Sequence, residues 1–395
     1  MKHKHIWIPV SLLFFCLLLG CSSSRQTNQE FEAFTFQLFC EEVSSSSLTL
    51  HYTLQNPDVY GITTLPETMG SFSSDPAYTG LVLENYLAAL QQFPYHRLSA
   101  KHRLTYDILH AYFQNAKQGL SYCLYDEPLS PITGIHAQLP ILLAEYRLET
   151  PRDIQSYFAL LEQLPAYFDS LIQFENNKAK QGLFFSEKTL SQVLEQCRTF
   201  LNLEQDHYLY TTFAERLEQI DTLTPQEIAD YTNRYRKLLP DCLCSSYARL
   251  CTTLQNLSLY CNPHQGLCSL PKGKEYYQHL IRTEVGSSKT IAEIQNLIQQ
   301  QMLQDLTTIQ TYLKTHVLTQ LEDVTITGTA EELLKDLKQD TGLQFPTPSK
   351  VSFQVKEVPK SLADYVSPAF YIIPPLDQTE ENTIYLNQPE KIDDL

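Results

Sequence analysis

The chain has 395 residues, of which 43% are hydrophobic, and its 45 acidic against 29 basic side chains give a formal net charge of −16 at pH 7. With 24 tyrosines and 19 phenylalanines there is ample apolar area for a packed core, which excludes a disordered tail protein. The acidic balance argues against nucleic-acid binding, because displacing phosphate counterions takes a basic footprint.

Lys2 and Lys4 open a segment with an apolar middle from Ile6 to Leu19, and Leu17-Leu18-Leu19-Gly20-Cys21 closes it with a small residue directly before a cysteine. This is the pattern of a bacterial lipoprotein signal. The apolar stretch is shorter than the roughly 20 residues of a spanning helix. Residues 1–20 are therefore expected to be removed as a signal peptide, leaving Cys21 as a lipidated N-terminus. Residues 21–30 then read as a tether, and the body from residue 31 lies outside the cytoplasm. The acyl chains on Cys21 are expected to hold it to the membrane.

Helix signals dominate that body. Periodicity and caps predict helices over Phe31 to Val43, Tyr78 to Phe93, Ser99 to Lys117, Thr150 to Asn177, Ser186 to Leu201 and His207 to Ile220. They continue over Pro225 to about Leu259, Lys272 to Thr283, Thr290 to Val317 and Glu331 to Asp340. Thr150-Pro151-Arg152-Asp153 combines a cap, a first-turn proline and an acid at the positive end of the dipole. Thr224, Thr290 and Thr329 each stand three residues before a glutamate, the spacing of a capping box. Pro165 is expected to kink or split its helix. Three stripes read as core faces: Leu104, Ile108, Tyr112 and Phe113; Leu190, Val193, Leu194 and Cys197; and Ile291, Ile294, Leu297 and Ile298. Strands are few, with period-two alternation over Val351 to Val355 and more weakly over Asn382 to Asn387. The predicted class is mainly α, a multi-helix body with a small β element near the C-terminus.

Cys242, Cys244, Cys251, Cys261 and Cys268 crowd one stretch. Three readings stay open: a zinc site, although the Cys242-Leu243-Cys244 gap is one residue short of the usual pairing; a disulfide such as Cys261 to Cys268; or buried thiols acting as small hydrophobes. Catalytic motifs are mostly missing. None of the 11 histidines precedes a glutamate, so there is no HExxH helix, and no GxGxxG, phosphate loop or GxSxG elbow occurs. Lys101-His102-Arg103 is a local positive run and reads as a solvated helix face. Two segments stand out instead: the loop Glu127 to Pro140, which contains Ser130-Pro131-Ile132-Thr133-Gly134-Ile135-His136, and the aromatic, proline-rich Ser367 to Pro375 before the last strand.

Those two segments, with Gly273-Lys274-Glu275-Tyr276-Tyr277 and the lipoprotein signal, resemble the bacterial family known as domain of unknown function 885, in its Gram-positive lipoprotein branch. The family is similar to helical zincin peptidases, so the resemblance implies a zincin-like helical body over residues 31–395. It also implies a substrate cleft towards which Ser130, Gly134, His136, Phe370, Tyr371, Tyr385 and Asn387 lie, and peptides as partners. Residue by residue, the structural alternatives are a turn for Gly134, core packing for Tyr371 and Tyr385 and a strand-end cap for Asn387. Family members carry an HExxPGH motif shortly after the segment that here reads Ile384-Tyr385-Leu386-Asn387, with two histidines binding zinc and the glutamate activating water. This sequence has no counterpart to that motif. The expectation is a protein without catalytic or metal-binding residues of its own, inactive as this chain, zinc belonging to a full-length family member. The competing expectation is a cell-surface binding or interaction lipoprotein, a pseudoenzyme.

Overall fold

A computed structural model describes residues 23–66, 68–202, 208–263, 266–315, 329–341, 345, 351–358 and 368–387. Cys21 lies outside them. Helix α1 (Ser24–Val43) starts at the Ser23 cap, whose hydroxyl accepts from the Gln26 N–H, so most of the stretch read as a tether is helical. Helices α3 (Pro76–Gln91) and α4 (Ala100–Gly119) pack as an antiparallel pair and, with Phe31 of α1, enclose a small core of Leu83, Leu87, Leu90, Phe93, Leu98 and Phe113. Two short helices were not evident in the sequence. These are α2 (Ser47–Thr53), capped by Ser46, and α5 (Ile135–Ala144), which begins inside the predicted long loop.

The main core forms around α6 (Pro151–Lys180), which buries Ile154, Tyr157, Phe158, Leu161, Leu164, Phe168 and Leu171. Its start is a complete capping box of Thr150 with Asp153. It continues through Pro165, where a kink or split was expected, without splitting. Around it stand α7 (Glu187–Leu201), α8 (Tyr208–Glu218), α9 (Pro225–Leu238) and α10 (Ser245–Asn256). The last two, predicted as one helix, are joined by a wide π turn over Leu239–Cys244. Pro240 lacks an N–H for the ladder there, and the widened turn absorbs the mismatch. The stripe Leu190, Val193, Leu194 and Cys197 is buried as expected.

The other two stripes are not. Leu104, Ile108 and Tyr112 are 62%, 59% and 62% exposed, with only their neighbour Phe113 inside. On α12 (Ile291–Thr315), which follows α11 (Gly273–Thr283), no residue is buried, and Leu297, Ile298, Met302 and Leu306 are open. The spacing aligned these side chains correctly, but no element among the described residues covers them. All eight cysteines within the described residues are free thiols, Cys197, Cys242 and Cys251 buried and Cys268 exposed. No disulfide joins them.

After α13 (Ala330–Thr341) comes a three-stranded sheet in the order β1 (Ser352–Glu357), β3 (Glu381–Leu386), β2 (Ala369–Ile372). β1 and β3 run parallel, and β2 is antiparallel to β3. β1 and β3 fall on the two predicted alternating segments, while β2 emerges from the aromatic, proline-rich segment. The sheet sits against the main core through Tyr385, Phe370 and Ile372.

Candidate functional site

The period of two along a strand sends alternate side chains to one face. Here that face carries two cross-strand rows: Lys356, Tyr385 and Phe370, then Gln354, Thr383 and Ile372. In the first row the rings of Phe370 and Tyr385 stack at 4.7 Å, and the Lys356 ammonium lies 6.0 Å from the Tyr385 ring centre. In the second, the Gln354 amide donates to Thr383 Oγ1 at 3.1 Å. Opposite stand the end of α2, the end of α5 and the outer side of α8. The space between is a cleft of about 590 Å³, lined among others by His51, Glu145, Arg147, Arg216, Lys356 and Tyr385. Its size is that of a small-ligand site.

Glu145 is the centre of its electrostatics. One carboxylate oxygen accepts from the Tyr385 hydroxyl at 2.5 Å, lies 3.1 Å from Arg216 Nη2 and 3.6 Å from Lys356 Nζ. Arg216 is fixed in turn by donating from Nη1 to the Tyr146 carbonyl at 2.5 Å. Burial, then the charge and hydrogen bond of Glu145, raise the Tyr385 phenol, so it stays a donor at neutral pH. Beside this group Arg147 donates to the carbonyls of His51 and Leu54 at 2.6 and 3.1 Å and also holds the Gln55 side chain. His51 stacks face to face on Tyr146 at 3.6 Å and accepts the Arg147 N–H on Nε2 at 2.9 Å. Burial first, then the charges of Arg147 and Arg216, lower its pKa to about 3. His51 is thus a neutral ring with its proton on Nδ1, unable to act as a base through Nε2 while that bond stands.

The loop after β2 ties the sheet to this wall. Asp377 accepts the Gln55 and Asn56 N–H groups at 2.6 and 2.8 Å, and the Leu376 N–H reaches the Thr53 carbonyl at 2.9 Å. A carboxylate thus closes the C-terminal end of α2.

The seven residues expected at the cleft divide into two groups. Tyr385 lines it, and Phe370 stacks behind Tyr385. Tyr371 points to the other face of β2, where its hydroxyl bonds Asn382, and the Asn387 N–H pairs with the Pro368 carbonyl at 2.8 Å. Ser130, Gly134 and His136 stand at the far end of α5, whose ten residues put about 15 Å between them and Glu145. There the Ser130 carbonyl accepts the Gly134 N–H at 2.8 Å. His136 is buried, bonds Gln196 Oε1 through Nε2 at 2.8 Å, and gives its carbonyl to the Tyr247 hydroxyl at 2.6 Å. Gln196 returns its amide to the Pro131 carbonyl at 2.8 Å. This network anchors the loop on α7 and α10.

Glu145, Arg147, Arg216, His51 and Asp377 were not singled out in the sequence. A signal for the first two exists: Glu145 and Arg147 bracket a tyrosine after a run from Pro128 to Ala144 that holds no Asp, Glu, Lys or Arg. Among the described residues no group of three or more His, Cys, Asp or Glu side chains is placed to hold a metal. A zinc ion therefore does not fit this set of donors.

The sequence matches the family described as bacterial protein of unknown function (DUF885) over residues 79–394. No curated protein matches it. Among solved structures it is similar to "the putative lipoprotein from Colwellia psychrerythraea", with a TM-score of 0.69 at 17% identity, covering 92% of this chain and 67% of that one. That likeness establishes a shared fold.

Proposed function

The chain belongs to the family of bacterial proteins of unknown function DUF885, and from that premise we propose a lipid-anchored, extracytoplasmic protein that binds peptides in the cleft around Glu145 without hydrolysing them on its own. The observation that carries the reading is the mixed charge of the cleft wall. Arg147, Arg216 and Lys356 line it together with Glu145, Glu149, Glu215 and Glu381, the strands supplying Lys356 and Glu381 and the helical side the rest. A wall of both signs suits a zwitterionic, amide-rich ligand better than a polyanion, which the four carboxylates would repel. Bound metal is not part of the proposal, because the donors that would hold and activate it are not assembled here.

The anchor reading rests on the cysteine at position 21 behind Gly20 and the apolar run, and it agrees with the finding that no described helix is long and apolar enough to cross a membrane. The test uses the full chain with a set of short peptides, with and without added zinc. The expected outcome is a rise in melting temperature with peptide, reduced by Lys356→Ala, and no peptide cleavage in either condition. Zinc-dependent turnover, or no shift with any peptide, overturns the proposal.

A further inference from the structure

We propose that the outward face of α4, formed by Lys101, Arg103, Leu104, Ile108 and Tyr112, lies on the surface of an anionic bilayer next to the anchor. The proposal rests on the lipid-anchor reading above.

The first support is the shape of the patch. Leu104, Ile108 and Tyr112 follow one another every fourth residue, each about 60% exposed, so they form one apolar stripe along the helix. Lys101 stands one turn ahead of Leu104 on the same stripe, and both it and Arg103 are exposed. An apolar stripe edged by basic side chains is the make-up of a helix that rests in the headgroup layer. Tyr112 and the half-exposed Tyr95 supply rings with a polar tip, suited to that depth.

The second support is charge. On a protein of net charge −16, Lys101-His102-Arg103 is a local positive run beside the apolar stripe, and Arg25 is exposed at the start of α1. Two acids lie beside it: Asp107 accepts from the Tyr95 hydroxyl at 2.9 Å, and Glu32 lies 3.1 Å from His102 Nε2. Anionic headgroups complement the basic side chains at this end of the molecule.

The third support is distance. Asn28 on α1 accepts the Ser99 N–H at 2.8 Å and the His102 ring at 2.5 Å, and its amide reaches the Arg97 carbonyl at 3.0 Å. The first turns of α1 and α4 are thereby pinned together. Helix α1 begins at Ser24, three residues after Cys21, so the lipidated residue sits within about 11 Å of that start. With so short a spacer, the acyl chains enter the bilayer close to the first turns of α1 and α4.

The test uses the full-length protein, produced with its own signal, acylated, and reconstituted in vesicles containing phosphatidylglycerol. Trp7 is the single tryptophan and falls in the expected signal peptide, so an introduced indole reports alone. Leu104→Trp is expected to show blue-shifted emission and quenching by brominated lipid, several-fold stronger than Leu259→Trp, a control at a side chain that is 92% exposed elsewhere. Changing Lys101 and Arg103 to Glu, or replacing the anionic lipid with phosphatidylcholine, is expected to cut the quenching at least two-fold. An acylated protein whose Leu104→Trp indole is quenched no more than the control overturns the proposal and leaves the anchor standing. A blue shift equally present without vesicles means that protein covers the face, and also overturns it. An N-terminal peptide mass lacking acyl chains on Cys21 removes the anchor reading and this one together.

Discussion

Glu175 shows what one buried group contributes. It is fully enclosed on α6, and neither carboxylate oxygen has a hydrogen-bond partner. Lys178, one turn on, gives its ammonium to the Asp126 carbonyl at 2.6 Å instead. Burial drives the Glu175 pKa up, Lys178 opposes this and Glu127 adds to it, the result being about 7. An acid whose folded pKa is raised stabilises the fold only below its unfolded pKa, and that contribution is lost as pH climbs from about 4.5 to about 7. Glu175→Gln is therefore expected to add about 3 kcal/mol at pH 8 and little at pH 4, read from urea midpoints at the two pH values. Nothing in the sequence marks this residue, since Phe174-Glu175-Asn176 has no distinctive pattern. Gly134, by contrast, was legible as a turn residue, and the structure gives the reason. A Cβ there would come within 2.4 Å of the Ser130 carbonyl oxygen.

Among the elements, starts were readable because capping is local chemistry. At Thr150, Thr224, Thr290 and Thr329 the threonine hydroxyl accepts the N–H three residues on, and the acid there accepts the threonine N–H. Thr150→Ala is expected to cost about 1 kcal/mol, measured as a lower urea midpoint with an unchanged slope. The fate of a stripe was not readable in the same way. Leu104-Ile108-Tyr112 and Leu190-Val193-Cys197 have similar spacing, yet the second is covered by α10 and the first by nothing described. Periodicity reports that side chains share a side of a helix; a partner 50 residues away in sequence decides whether that side is inside. The short α2 escaped for a different reason, its seven residues being too few to establish a period.

For the whole molecule, the cleft combines the end of α2, the end of α5, a side of α8 and one face of the sheet. No window of sequence contains it, so only its sheet wall was anticipated, through Tyr385 and Phe370. Asp377 holds the parts together, and its pKa is lowered because the Gln55 and Asn56 N–H groups outweigh the effect of burial. Asp377→Ala is expected to destabilise by about 2 kcal/mol, the scale for hydrogen bonds to a charged group. Hydrogen exchange is expected to localise the change, with amides of β2 and β3 exchanging faster and those of α6 unaffected. Uniform acceleration across α6 and the sheet would contradict this placement.

The Gln55–Asp377 contact spans 322 residues of chain. Such a pairing is among the slowest to form, because a very long loop must close before the bond can repay it. A polypeptide made N-terminus first has α2 in hand long before Asp377 arrives. The helical bundle is then assembled while the sheet side of the cleft is still incomplete, and the cleft takes shape late in folding.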